Sequence, residues 1–272
     1  MNKISIGGHV GSGKSSVARE VSALTGWPLM STGAIFREIA ARLGLSVLEL
    51  NQHAIGHPEI DDEVDDHLRR LSGTPEPAVI DSRMAFHFVP DSLKCFLVVE
   101  PSVAAQRIFD ARRENEPYAT LEDAMAKVSA RQDVESDRYF QLYDVRRDDW
   151  RNYDVVIDTT DTPAAEVAAL VIDELADETS ERPRCWMSPL RLLPTASDQP
   201  IARPRIVVRD GLVWVTAGRD AVSAAIGLGD TLVRCDLAAY EDETAPPPDE
   251  VSMSLIASWE EAHGITFRSG PA

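Results

Sequence analysis

The sequence predicts an α/β protein: a parallel sheet flanked by helices over the first two-thirds of the chain, then a smaller α+β region. Three observations predict it. Short apolar runs rich in Val, Ile, Leu and Phe alternate with helix-length amphipathic segments, the pattern of strands joined by helical crossovers. A Gly-rich stretch, Gly8 to Ser15, stands directly between the first apolar run and the first helical segment. After Asp177 the composition changes, and Pro183, Pro189, Pro194, Pro200 and Pro204 interrupt a Ser- and Thr-containing stretch.

In chain order, strands are expected at residues 3–7, 27–31, 78–81, 93–99 and 153–158. The last two are nearly continuous in apolar residues, as strands buried on both faces are. Helices are expected at 14–24, 34–43, 58–71 and 102–113, within 120–143, and at 163–176. Residues 1–177 therefore read as one domain, 178–204 as a Pro-rich linker and 205–272 as a small accessory domain. In that last part, 205–209 and 212–216 read as a hairpin closed at Asp210-Gly211, a pair suited to the positive-φ turn of a two-residue hairpin. A helix at 218–228, a strand at 231–237, an acidic Pro-containing loop at 241–250 and a helix at 251–263 complete the reading.

With 272 residues, 44% of them hydrophobic and 26% charged, the chain can bury one large core or two modest ones, and general disorder is excluded. No apolar run reaches the roughly 18 residues a membrane helix needs, so no membrane partner is expected. The N-terminal residues lack the features of a signal peptide, so a cytoplasmic location is expected, or a host's cytoplasm if the protein is viral. Cys95, Cys185 and Cys235 are far apart in sequence and in no CxxC spacing, so neither a disulfide framework nor a zinc site is expected. The net charge of -18 opposes attachment to nucleic acid or anionic lipid through bulk charge, and any polyanion must be gripped locally. From Pro183 onward the chain has 8 Arg and no Lys against 12 acidic residues, so all positive charge in that part is guanidinium, the better group for bidentate phosphate contacts.

Gly8-His9-Val10-Gly11-Ser12-Gly13-Lys14-Ser15, continued by Ser16, satisfies GxxxxGK[ST] in the required context of strand before and helix after. Glycines let backbone N–H groups converge on a phosphate while the helix N-terminus adds its dipole. Lys14 is expected to bridge the β- and γ-phosphates of ATP, and the Ser15 hydroxyl to ligate Mg²⁺. His9 takes no side-chain role here. Ala78-Val79-Ile80-Asp81 is a short apolar strand ending in Asp, placed to serve the Mg²⁺ or to orient an attacking hydroxyl; read alone, Asp81 suits a turn cap equally well.

Ser31-Thr32-Gly33-Ala34-Ile35-Phe36-Arg37-Glu38 resembles the acceptor segment of nucleoside monophosphate kinases. Residues 45–51, 58–65, 80–88, 131–139 and 153–159 are similar, in order, to the archaeal-type cytidylate kinases and their bacterial relatives. The resemblance spans roughly residues 1 to 177 and implies a P-loop kinase fold. It implies that Arg37 and Arg83 bind the acceptor. It also implies that Arg107, Arg112, Arg113, Arg131 and Arg138 belong to a mobile lid neutralising the transferred phosphoryl group, with Arg131 and Arg138 catalytic alongside Lys14 and Asp81. Arg131 and Arg138 are seven apart, hence on one helical face, with Glu135 between them able to hold either. Asp61 and Asp65, four apart, either touch the acceptor nucleoside or form a solvated acidic face. Ala34 departs from the Asp that the family commonly has there.

Residues 210–225 and 229–233 are similar to the core of ParB-like domains, although Asp220 and Ala221 replace residues that are usually basic there. Phosphoryl transfer from ATP to a pyrimidine acceptor is therefore expected. One acceptor is the hydroxyl of 5-hydroxymethyluracil in DNA, as in phage base hypermodification; this would give a nucleotide-kinase core a reason to bear a ParB-like part. The alternative is free CMP or dCMP, and a third reading is a non-catalytic NTP-binding switch. The sequence reading leans to the DNA base.

Overall fold

β1 (Lys3–Gly8), β2 (Leu29–Ser31), β3 (Ala78–Asp81), β4 (Leu93–Val98) and β5 (Val155–Asp158) pair in parallel, in the spatial order β2-β3-β1-β4-β5. In this computed structural model, residues 1–111, 119–177, 183–241 and 253–268 are described, without the side chains of Leu48 and Arg131. The parallel order follows from the crossovers. α1 (Lys14–Thr25) carries the chain from β1 to β2, and the helices between β2 and β3 and between β4 and β5 return it to the same end. β1 is central, and the chain leaves it to opposite sides, first to β3 and later to β4. A crevice therefore opens at the carboxyl end of the strands.

The strands are as apolar as their burial demands: Ile4, Ile6, Val79, Leu97, Val155 and Ile157 are all fully buried. One face is covered by α1 and α8 (Ala164–Ala176), through Val17, Ala18, Val21, Val167, Ala168 and Val171. α2 (Thr32–Leu43), α3 (Val47–Ala54) and α4 (Pro58–Leu71) pack on one another through Ile39, Ala40, Leu50, Ala54 and Ile60, a small core of their own that forms the far wall of the crevice. α3 was not expected. Its start is marked by a reciprocal capping box in which Ser46 and Glu49 satisfy each other's backbone N–H, a pattern visible as Ser-x-x-Glu in the chain. α5 (Ala85–Phe88), α6 (Pro101–Asp110) and α7 (Leu121–Tyr143, capped by the Thr120 side chain) complete this part.

The sheet does not stop at β5. β6 (Arg184–Met187) adds in parallel to β5, followed in space by β10 (Val233–Tyr240), β8 (Arg205–Arg209), β9 (Leu212–Ala217) and β7 (Leu192–Pro194). The stretch 178–204, expected as a linker, thus supplies two strands. The prolines that suggested a linker lie at strand edges and turns, where a missing N–H costs nothing. Cys185, Met187, Leu192, Ile206, Val213 and Cys235 join one hydrophobic cluster with Phe96, Trp150, Tyr153 and Val156, so a single core runs across position 177. The expected hairpin is present, with Asp210 and Gly211 at φ 52 and 71, and α9 (Arg219–Leu228) and α10 (Met253–His263) follow. The acidic loop expected at 241–250 lies, beyond Glu241, outside the described residues. All three cysteines are free and buried, and Cys185 stands directly opposite Cys235 despite their sequence separation. Among the described residues no helix is long and apolar enough to cross a membrane, and no three or more His, Cys, Asp and Glu side chains cluster to hold a metal ion among themselves.

Candidate active site

The Gly-rich loop leaves β1 through Gly8, at φ 144, and turns through Gly11 and Gly13, at φ 81 and 82, before α1 begins at Lys14. A Cβ on Gly8 would lie 2.3 Å from the Leu97 carbonyl oxygen, and one on Gly11 would lie 2.8 Å from the Ala104 Cβ. Both glycines are thus required by backbone conformation and by close approach. Gly8→Ala is expected to cost more than about 1 kcal/mol, because both the φ angle and the clash oppose it. That is a fall of a few degrees in melting temperature by calorimetry, accompanied by weaker nucleotide binding.

Lys14 Nζ donates to the carbonyl oxygens of Gly8 at 2.9 Å and His9 at 2.6 Å, folding the side chain across its own loop. Burial, then Arg83 and Arg147, lowers its pKa to about 7, against the pull of Asp81 and Glu135. His9 does not face the cleft. Its ring stands edge-on to Phe96 at 5.3 Å, and burial, then Arg147, Arg191 and Lys14, lowers its pKa to about 3, so the imidazole is neutral. Its contribution to the loop is its backbone.

Asp81 ends β3 level with Ile6 of β1, because the two strands pair in register there. Its Oδ2 accepts from Ser15 Oγ at 2.7 Å and from Ser31 Oγ at 3.2 Å. A hydroxyl and a carboxylate held together beside the loop are the hard oxygens that Mg²⁺ takes, so Ser15 and Asp81 fit that ion and would hold it. Bound there, the ion would neutralise charge on the β- and γ-phosphates.

A cleft of about 1260 Å³ runs from this loop to the α2–α4 wall. It gathers Val10, Gly11, Ser12, Gly13, Lys14, Ser15, Ser16, Arg37, Asp61, Asp81, Arg83 and Arg138, nearly the whole set expected from sequence, from elements far apart in the chain. Gly8 and His9 lie outside the lining. Arg37 is exposed on α2, and among the described residues no carboxylate pairs with it. Arg83 is differently placed: its Nε lies 2.5 Å from Glu135 Oε2. Burial is the largest influence and works against its charge, but Glu135, Tyr139 and Asp81 together raise its pKa.

Glu135 therefore reaches across to Arg83, because α7 turns that carboxylate toward the end of β3; the side chain of Arg131, one of its two expected partners, lies outside the described residues. Arg138, 5% exposed, faces Asp61 instead, with Nη1 3.5 Å from Oδ1. It stacks near the rings of Tyr139 at 4.9 Å and Phe36 at 5.6 Å. Asp61 Oδ2 and the Nε of Arg138 are buried without a hydrogen-bond partner. Burial raises the pKa of Asp61, and raises that of Asp65 to about 6 even though Tyr143 donates to Asp65.

Of the other expected lid arginines, Arg107 is pinned on the loop side of the cleft, donating to the carbonyls of Thr159 at 2.7 Å and Thr160 at 3.2 Å. Arg112 and Arg113 lie outside the described residues, as does the side chain of Arg131. Sequence reasoning missed Arg147, which is buried 4.0 Å from Glu135 and bonded to Ser136 Oγ at 3.2 Å. It also missed the Phe36 and Tyr139 rings. Aromatic residues on a helix carry no sign of what they will face, and Arg147 sits among loop charges.

The profile of the Cytidylate kinase-like family matches residues 3–161. The cytidylate kinase of Methanothermobacter thermautotrophicus is 36% identical over 156 residues, covering 57% of this chain and 94% of that protein. That of Thermoplasma volcanium is 32% identical over 181 residues, covering 66% and 94%. An S-adenosylmethionine-dependent nucleotide dehydratase of Lacinutrix mariniflava is 33% identical over 172 residues, covering 63% of this chain but 35% of that protein. The match begins at β1 and ends at the Thr159–Asp161 turn, so it contains the phosphate loop, the Asp81 carboxylate and the far wall. The chain belongs to the cytidylate kinase-like family and is a phosphotransferase that uses ATP with Mg²⁺.

Proposed function

We propose that the chain transfers the γ-phosphoryl group of ATP to a free cytidine monophosphate, CMP or dCMP. The observation that carries this reading is the unpartnered Oδ2 of Asp61, buried in the far wall of the cleft beside the unpartnered Nε of Arg138. A carboxylate acceptor next to a guanidinium that lies over two aromatic rings complements the edge of cytosine: its exocyclic amine donates, while N3 and O2 accept. Uracil and 5-hydroxymethyluracil turn a carbonyl oxygen toward the same carboxylate, leaving two acceptors face to face without a proton between them. Arg37, without a described carboxylate partner, supplies a cation for the acceptor phosphate. That phosphate is already nucleophilic, so Lys14, Arg83 and Arg138 act by positioning and by charge, and no general base is needed.

The same argument turns the preference away from the DNA base to which the sequence leans. The C-terminal resemblance to ParB-like domains does not restore that preference. Arg219, a basic residue within that segment, is engaged within the chain by Asp198 at 3.2 Å and lies 5.8 Å from the Trp259 ring. Offering γ-labelled ATP with CMP, dCMP, UMP and hydroxymethyluracil-containing DNA in parallel tests the reading. Label is expected in CDP or dCDP, with UMP labelled far more slowly. Label confined to DNA, or UMP used as well as CMP, would overturn it.

A further inference from the structure

The family match ends at residue 161, and the Methanothermobacter relative is covered to 94% by only 57% of this chain, so that match assigns no role to residues 183–268. Three side chains of this region meet one turn of the kinase core. Arg191 Nη1 reaches Asp158 Oδ2 at 3.1 Å, with both residues buried. Ser188 Oγ donates to Asp161 Oδ2 at 2.7 Å, and Arg268 grips Asp161 Oδ1 through Nη2 at 2.7 Å and Nε at 3.1 Å.

The turn they hold is part of the phosphate loop's support. Asp158 Oδ1 accepts from Thr160 Oγ1 at 2.6 Å and Thr160 N at 3.0 Å, which fixes the turn's shape. Thr159 Oγ1 donates to the carbonyl of Ser12, inside the Gly-rich loop, at 3.0 Å. Thr159, Thr162 and Pro163 line the cleft at its loop end, where Arg107 also binds the turn's carbonyls. Asp158 and Asp161 would otherwise place two negative charges beside a site built for a polyanion; Arg191 and Arg268 neutralise one each.

We propose that the C-terminal region is part of the ATP-donor site, with Arg191 and Arg268 as positioning residues that hold the 158–161 turn, and through Thr159 the Ser12 carbonyl, in the phosphate-binding arrangement. The triphosphate touches neither arginine. Their effect reaches it through the turn and through the charge they cancel. A region serving only to stabilise the fold would lower the melting temperature and leave donor affinity unchanged. A region serving the donor site loosens the donor selectively.

The test uses the full chain and titrates a non-hydrolysable Mg-ATP analogue calorimetrically, a readout independent of which acceptor the enzyme takes. Arg268→Ala, at a partly exposed pair, is expected to weaken the analogue by about three- to five-fold, with Arg268→Lys recovering part of the loss. Arg191→Met is expected to weaken it by about ten-fold or more, since it leaves Asp158 buried and unpaired, and Arg191→Lys is expected to fall between. The KM for CMP should not follow. Unchanged analogue affinity in Arg268→Ala despite a lower melting temperature overturns the proposal, as does equal weakening of donor and acceptor. Should Arg191→Met fail to fold, the Arg268 pair of variants decides the matter alone. If CMP proves not to be an acceptor, the titration still reads the donor site.

Discussion

Lys14→Ala is expected to lower kcat/KM by about 10²- to 10³-fold for every acceptor, the loss typical of removing one preorganised group that meets developing charge. The side chain is stored across the loop on the Gly8 and His9 carbonyls, so little movement brings it onto a phosphate. Among the described residues no neighbour replaces it: Arg83 is held by Glu135, and Arg107 by the carbonyls of Thr159 and Thr160. A melting curve close to wild type would separate this loss from unfolding.

The lowered pKa, about 7 in the empty site, adds a second readout. A bound triphosphate favours the ammonium form, so above pH about 7 the analogue should bind with uptake of a proton at Lys14. Calorimetry in buffers of different ionisation enthalpy should show this uptake at pH about 8, and little of it below pH about 6. Lys14→Ala should abolish the difference between the two. The sign for stability follows from the same depression. Between about pH 7 and the ordinary lysine value of 10.5, the unfolded chain holds more protons at this position. In that window Lys14 makes the empty protein more stable as pH rises. An uptake unaffected by the substitution would place the titrating group elsewhere.

Asp61→Asn is expected to lower kcat/KM for CMP by about 10- to 100-fold, the worth of a buried hydrogen bond to a charged group, while UMP loses much less or gains. The asymmetry between bases is the informative quantity. Loss of a structural contact would reduce both acceptors together, since Asp61 also sits 3.5 Å from Arg138. Loss of base recognition changes their ratio, because an amide can present its N–H to the uracil O4 where a carboxylate cannot. An unchanged CMP/UMP ratio would remove Asp61 from the acceptor site. The donor KM provides the internal control, as Lys14, Ser15 and Asp81 lie at the other end of the cleft.

Much of the site was legible because its signals are local. The Gly-Lys-Ser stretch reports a strand-loop-helix joint whose glycines must take positive φ, and Gly11 and Gly13 do. The strand ending in Asp81 was legible for the same reason: three apolar residues and a carboxylate describe a buried strand with a polar tip at its carboxyl end. The pairing of charges was not. Glu135 lies three residues before Arg138 in sequence, yet it reaches Arg83 while Arg138 faces Asp61, because helix rotation and the packing of α7 on the core choose the partner. A salt bridge between distant residues leaves no periodicity to read.

The amino-acid sequence by itself determined the phosphate loop and the parallel core, since each rests on short-range patterns of glycine and apolar residues, while its resemblance to nucleoside monophosphate kinases implied the kinase chemistry. Tertiary structure alone decided three things: that the Pro-rich stretch adds strands to the same sheet, that Arg138 meets Asp61 and the rings of Phe36 and Tyr139, and that Ser188, Arg191 and Arg268 reach the Asp158–Asp161 turn. These are contacts between parts of the chain separated by tens of residues. Burial of the whole apolar surface, with satisfaction of the polar groups it encloses, selects them, and neither requirement is expressed at any single position.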